Sequence, residues 1–116
     1  MSVSTRQTLD HLRRRDAVAR ADAEARAAVL RERLPEAASL LRALGADRVL
    51  LFGSLATGDV HLGSDVDLAV SALPPSRFFE AVGALSRLLG CDVDLVRLEE
   101  APDSLVDRVE AEGVLL

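Results

Sequence analysis

The sequence predicts a small mixed α/β sheet flanked by helices and preceded by one long helix. Three observations carry this. Residues 1–34 are rich in Ala, Arg, Asp and Glu and contain neither Gly nor Pro, a composition that favours helix. Three short β-type runs follow, V-L-L-F, V-D-L-A-V and V-D-L-V. A short link joins the first two runs, which favours antiparallel pairing, and a helical stretch joins the second and third, which favours parallel pairing. The 116 residues, 49% of them apolar, suit one core. Residues 1–34 read as a helical extension and 35–116 as the globular domain.

The elements follow in order. Between Leu12 and Val29 large apolar residues are sparse, and Ala17, Ala21, Ala25 and Ala28 form a small-residue stripe. Such a helix gains little from packing on its own core, so it is a candidate surface for a partner or a second copy, or a solvated extension. Pro35 marks the first turn of a second helix or a kink. That helix carries Leu40, Leu41 and Leu44 and stops at Gly45. Residues 48–52 form the first strand, ended by Gly53-Ser54, and Leu55 to Thr57 suit a short helical turn. Residues 59–64 are a loop punctuated by Gly58 and Gly63. Residues 65–70 are the second strand and 76–89 a helix, with Phe78, Phe79, Val82, Leu85, Leu88 and Leu89 toward the core. Residues 92–97 are the third strand. A last helix, near 102–112, packs Leu105, Val106 and Val109.

Chemistry concentrates at Gly53-Ser54, followed ten residues later by Asp65-Val66-Asp67. Carboxylates at i and i+2 share one face of a strand. Like charges so placed call for a cation. A Gly-Ser turn after a strand has backbone suited to wrapping phosphate. The third strand repeats the pattern with Asp92 and Asp94. Mg²⁺ takes oxygen ligands and leaves part of its shell to substrate phosphates. Two such ions about 3.5–4 Å apart hold the attacking and leaving oxygens of an in-line displacement. Asp65, Asp67 and Asp94 meet that need if the second and third strands are neighbours.

The G-S-x10-D-x-D pattern, the lead-in L-G-A-D-R-V-L-L-F-G-S, the D-V-D-L-A-V strand and the V-D-L-V strand resemble the nucleotidyltransferase superfamily of the DNA polymerase β type. The resemblance covers residues 40–116 and is nearest to the minimal nucleotidyltransferases (MNT) that act as antitoxins beside HEPN-domain toxins. It implies a palm-type sheet. It also implies that Gly53 and Ser54 bind the β- and γ-phosphates, that Asp65 and Asp67 bind two Mg²⁺ ions, and that Asp94 completes the site and helps activate the attacking hydroxyl. Asp92 is the alternative to Asp94. The implied reaction transfers AMP from ATP to a hydroxyl, in the antitoxin branch a tyrosine of the HEPN toxin. Alternatives are neutralisation by stable complex formation with little or no catalysis, and nucleotidyl transfer to a small molecule or RNA. Many members carry Arg where this chain has Leu55, and the segment before residue 35 is longer than the minimal branch usually carries.

Charge adds constraints. All 14 basic residues are Arg, against 19 acids, for a net charge of −5. Residues 1–34 carry a local +3 and residues 35–116 a local −8. The overall balance argues against broad nucleic-acid binding, and bound Mg²⁺ would relieve self-repulsion in the acidic part. The absence of Tyr puts any tyrosine acceptor on another protein. The single Cys91 excludes an internal disulfide and reads as a small apolar residue. Arg13, Arg14 and Arg15 read as a solvated helix face, His61 as a loop histidine, Ser64 as a loop residue bonded to backbone, and Arg48, Arg77 and Arg97 as surface residues. No apolar run is long enough for a membrane span and no secretory signal stands at the N-terminus, so a cytoplasmic protein is the expectation.

Overall fold

The computed structural model describes residues 5–57 and 66–116. Among the described residues the elements are, in chain order, α1 (Thr5–Ala43), β1 (Val49–Phe52), α2 (Ser54–Thr57), β2 (Val66–Val70), a 3-10 turn (Pro75–Arg77), α3 (Phe78–Leu89), β3 (Val93–Arg97), a second 3-10 turn (Leu98–Glu100), α4 (Asp103–Glu112) and β4 (Val114–Leu115). The sheet order is β3-β2-β1-β4. β1 pairs antiparallel with β2, and β2 parallel with β3, the directions expected from the sequence.

Strand alternation gives the sheet two unlike faces. Val49, Leu51, Val66, Leu68, Val70, Val93 and Leu95 form one face and join the main core with α1 and α3. The α1 contribution is Ala27, Leu30, Leu34, Ala37, Ala38 and Leu41, and the α3 contribution is Ala81, Leu85 and Leu89. Leu50 and Ala69 lie on the other face under Val109 of α4, with Phe52, Leu98 and Leu105 packed around them. Among the described residues the sheet is therefore sandwiched, with a thick layer on one side and a thin one, centred on α4, on the other.

Several expectations are corrected here. Helix α1 is one element of 39 residues with Pro35 inside it, not two helices divided at Pro35. Proline removes one i→i−4 bond and costs about 3 kcal/mol. Here its ring is exposed, while neighbouring Leu34, Ala37 and Ala38 are buried; their packing offsets the loss. Helix α1 does pack on the core before Val29, through Ala23 and Ala27 in the buried stripe with Leu30, Leu34, Ala37 and Leu41, while Ala17, Ala21, Ala25 and Ala28 are exposed, in keeping with a partner-facing or solvated stripe. Phe79 is 85% exposed. Phe78 takes the inward position beside the core and presents its ring edge-on to Phe79 at 5.6 Å. Adjacent residues on a helix are about 100° apart, so both rings cannot face the same way. The loop 58–65, with His61, Ser64 and Asp65, lies outside the described residues.

Strand β4 was not anticipated. It pairs antiparallel with β1 through Leu50 and Leu51 and covers that edge of the sheet. Arg42 of α1 donates to the Leu116 carbonyl at 2.6 Å, which fastens the segment after β4. The far end of the sheet is held by polar contacts. Arg48 and Glu110 make two hydrogen bonds of 2.8 and 3.1 Å, and the Arg48 side chain keeps the Glu110 carboxyl below its ordinary range. The amide of Ala72, which has a φ of 66°, donates to Glu99 at 2.5 Å and keeps that carboxyl low as well.

Among the described residues no helix is long and apolar enough to cross a membrane. Two substitutions check the layer assignment by urea denaturation. Leu41→Ala, at a side chain 0% exposed, is expected to cost about 2–5 kcal/mol. Phe79→Ala is expected to change stability by less than about 0.5 kcal/mol.

Candidate active site

The site is built where β1 ends. Phe52 is the Cα partner of Asp67 in β2, and Asp67 is the Cα partner of Asp94 in β3. Asp67 and Asp94 therefore stand side by side, on strands about 4.8 Å apart, and on the face that carries Leu50 and Ala69. Helix α4 covers Ala69, which is 0% exposed. The next position outward along the same face, Asp67, is half-buried, and Asp94 beside it is exposed. The carboxylates occupy the open end of the thinly covered face. Asp92 lies just ahead of β3, and its carbonyl accepts a 3.3 Å bond from the Val66 amide.

Gly53 turns the chain out of β1 with a φ of 74°, a region that side-chain-bearing residues avoid. A Cβ built on Gly53 would lie 2.1 Å from Oδ2 of Asp67 and 3.0 Å from its Cγ. The Asp67 carboxylate thus rests directly on the glycine backbone. Spacing in the sequence separates these residues, and the antiparallel register reunites them. Ser54 opens α2 and is partly exposed. Thr57 secures the turn: its amide donates to the Gly53 carbonyl at 3.2 Å, and its hydroxyl lies 3.3 Å from the Gly53 and Ser54 carbonyls. Leu55 is 5% exposed and belongs to the main core, so this position contributes packing rather than charge.

The predicted residues Gly53, Ser54, Asp67 and Asp94 come together at one end of the sheet. Asp65 is the remaining member of the predicted set and lies outside the described residues. Among the described residues no group of three His, Cys, Asp or Glu gathers at metal-binding range. The adjacent carboxylates of Asp67 and Asp94 offer hard oxygen donors, the chemistry that suits Mg²⁺ with substrate oxygens completing the shell. The arginines read as surface residues each have an acidic partner. Arg48 pairs with Glu110 and Arg77 with Glu80. Arg97 is not a surface residue: its side chain is 11% exposed, and it donates to the Leu73 carbonyl at 2.8 Å and pairs with Glu100. Arg48 and Arg97 thus tie separate elements together, whereas Arg77 makes an exposed pair within its own turn and helix.

Sequence reasoning missed one polar contact at the site. Arg31 of α1 donates from Nη2 to the Leu55 carbonyl at 3.2 Å. Its only signal in the sequence was its place beside Leu30 and Leu34, on the edge of the buried stripe.

A family model described as polymerase beta, nucleotidyltransferase matches residues 40–116. Comparison with curated proteins gives no match. Among solved structures, a toxin–antitoxin with AMP-PNP is 35% identical with a TM-score of 0.60, over 66% of this chain and 66% of that one. This chain thus spans just under two thirds of that chain's length. A structure described as a minimal nucleotidyltransferase is 33% identical with a TM-score of 0.71, over 78% of this chain and 95% of that one. A tri-AMPylated Shewanella oneidensis HEPN toxin in complex with MNT antitoxin is 28% identical with a TM-score of 0.60, over 74% and 70%.

The close approach of Gly53 and Asp67 generates a double-mutant prediction. Gly53→Ala is expected to destabilise the protein by about 1–2 kcal/mol from the left-handed backbone alone, and further through overlap with Asp67. In an Asp67→Ala background the overlap with the carboxylate disappears and a 3.3 Å contact with Cβ remains, so the two substitutions combine to less than the sum of their separate costs in urea denaturation.

Proposed function

This chain belongs to the polymerase beta nucleotidyltransferase family, and on that premise we propose that it transfers AMP from ATP to a hydroxyl on a partner HEPN toxin and so acts as its antitoxin. The observation that carries the reading is the junction at the open end of the sheet. There Asp67 is in register with Asp94 and lies against the left-handed turn at Gly53. The resemblance to a tri-AMPylated toxin in complex with MNT antitoxin and to a toxin–antitoxin with AMP-PNP supports the acceptor and the donor.

In this reading Gly53 lets the nucleotide phosphates approach the backbone, and Ser54 offers its hydroxyl to a phosphate oxygen. Asp65, Asp67 and Asp94 would hold two Mg²⁺ ions, which when bound supply charge neutralisation for the triphosphate. The acceptor oxygen attacks the α-phosphorus, and the bond to the bridging oxygen of the β-phosphate breaks. Pyrophosphate leaves with that electron pair. The Asp94 carboxylate, the most exposed acid of the described pair, receives the acceptor proton. With no Tyr in the chain, a tyrosine acceptor is supplied by the partner.

A second reading, neutralisation by complex formation alone, is favoured by the N-terminal half of α1. Arg13, Arg14, Arg15, Ala17 and Arg20 are all exposed there, and Val18 is 61% exposed. The two readings separate in one experiment. With α-labelled ATP, Mg²⁺ and the HEPN partner, wild type is expected to label the toxin. Asp67→Asn and Asp94→Asn are each expected to cut the rate by at least about 100-fold, and to lose toxin protection in cells. Full protection by both variants, with no label on the toxin even from wild type, would establish the complex-only reading.

A further inference from the structure

Helix α1 begins well before residue 40, where the family match starts, yet it reaches the nucleotide turn. We propose that Arg31, on the part of α1 that precedes the family match, is a positioning residue for the turn Gly53 to Thr57. The proposal rests on the nucleotide reading above for its functional consequence, but not for the contact itself.

The physical need comes from the length of α2. A helix of four residues cannot satisfy its own carbonyls, because the last four C=O groups of any helix lack an intrahelical partner. Side chains share that role here. The Thr57 amide donates to the Gly53 carbonyl, which leaves the single Thr57 hydroxyl proton for the Ser54 carbonyl, and Arg31 engages the next one, Leu55. Three successive carbonyls are thereby tied down, two from within the turn and one from 24 residues upstream. Each peptide unit is planar, so fixing a carbonyl also fixes the amide across the same plane. The orientation of the Ser54 to Ala56 backbone therefore depends on Arg31 as well as on Thr57. The Leu55 side chain in the core pins one side of the turn, and the Arg31 bond pins its main chain.

Arg31 is also placed firmly. Leu30 and Leu34 beside it are 7% and 5% exposed, so the helix cannot roll without unburying them. Arg33, two residues on, makes a comparable bond to a different element: its Nη1 donates to the Leu88 carbonyl in the last turn of α3 at 3.0 Å. Arg33 therefore serves as a matched control, with the same residue type, helix and kind of bond but no contact with the turn.

The test compares Arg31→Ala, Arg31→Lys and Arg33→Ala in the full chain. Amide hydrogen exchange is read for residues 53–57 against β1 and α3, and Mg²⁺–AMP-PNP affinity is measured by titration. Arg31→Ala is expected to speed exchange in the turn by at least about threefold, the weight of one modest hydrogen bond, with β1 and α3 unchanged. The same variant is expected to weaken AMP-PNP and raise KM for ATP by a similar factor, with kcat little altered. Arg31→Lys, which keeps a cationic donor, restores part of both effects, and Arg33→Ala leaves the turn unaffected. Unchanged exchange at 53–57 in Arg31→Ala would overturn the proposal, as would equal acceleration across β1 and α3. If wild type fails to bind AMP-PNP, the nucleotide reading falls, and exchange alone decides whether Arg31 holds the turn.

Discussion

The Asp67 carboxylate occupies the space that a side chain at residue 53 would need, and much of the molecule is arranged so that this contact forms. Residue 53 must be glycine on two counts: its φ of 74° and the proximity of Oδ2. The contact also requires β1 and β2 to pair in one register, with Phe52 opposite Asp67. A slip of one residue would turn Asp67 toward α1 and α3 and place Val66 and Leu68 on the open face. Burial of Val66, Leu68 and Val70, each 0% exposed, makes that slip costly. The hydrophobic core thus sets the position of a polar group it does not touch.

The two faces of the sheet divide the work. One carries α1 and α3 and holds most of the buried apolar surface. The other carries, among the described residues, α4 and Leu98 of the second 3-10 turn, with the contact centred on Leu50, Ala69 and Val109. Beyond that patch the same face presents Asp67 and Asp94. An acid pair in this position can reach solvent, cations and a substrate while standing on strands that are fixed from behind. Rigid support behind an open polar face is what precise positioning of reacting groups requires.

Much of this was legible in the sequence. Three of the four described strands and their pairing directions follow from short apolar runs, glycine punctuation and link lengths, whereas the choice of Gly53, Ser54, Asp67 and Asp94 as one set came from the motif that the family resemblance supplied. Those signals are strong because they are set locally. Other features were hidden for physical reasons. Alanine has too little side chain to mark a face, so the buried positions Ala23 and Ala27 look the same as the exposed Ala21 and Ala25. Pro35 reads as a break because sequence does not reveal that its ring faces outward. Phe78 and Phe79 are equivalent in hydrophobicity, and only the angle between them on α3 decides which is buried. Strand β4 has two residues, too few for any period to register. Arg31 is one of eight arginines in the first 34 residues, and only the packing of α1 singles it out.

Membership of the nucleotidyltransferase family and the adjacency of Asp67 and Asp94 support the proposal that this end of the sheet holds divalent metal against a nucleotide triphosphate. The direct measurement is a crystal structure of the protein with Mn²⁺ and AMP-PNP, with the metal located by its anomalous signal. The account predicts metal bound by carboxylate oxygens of Asp67 and Asp94 at about 2.1 Å, with the phosphates over Gly53 and Ser54. Nucleotide bound with its phosphates elsewhere, or no anomalous peak within reach of Asp67 and Asp94, would contradict it.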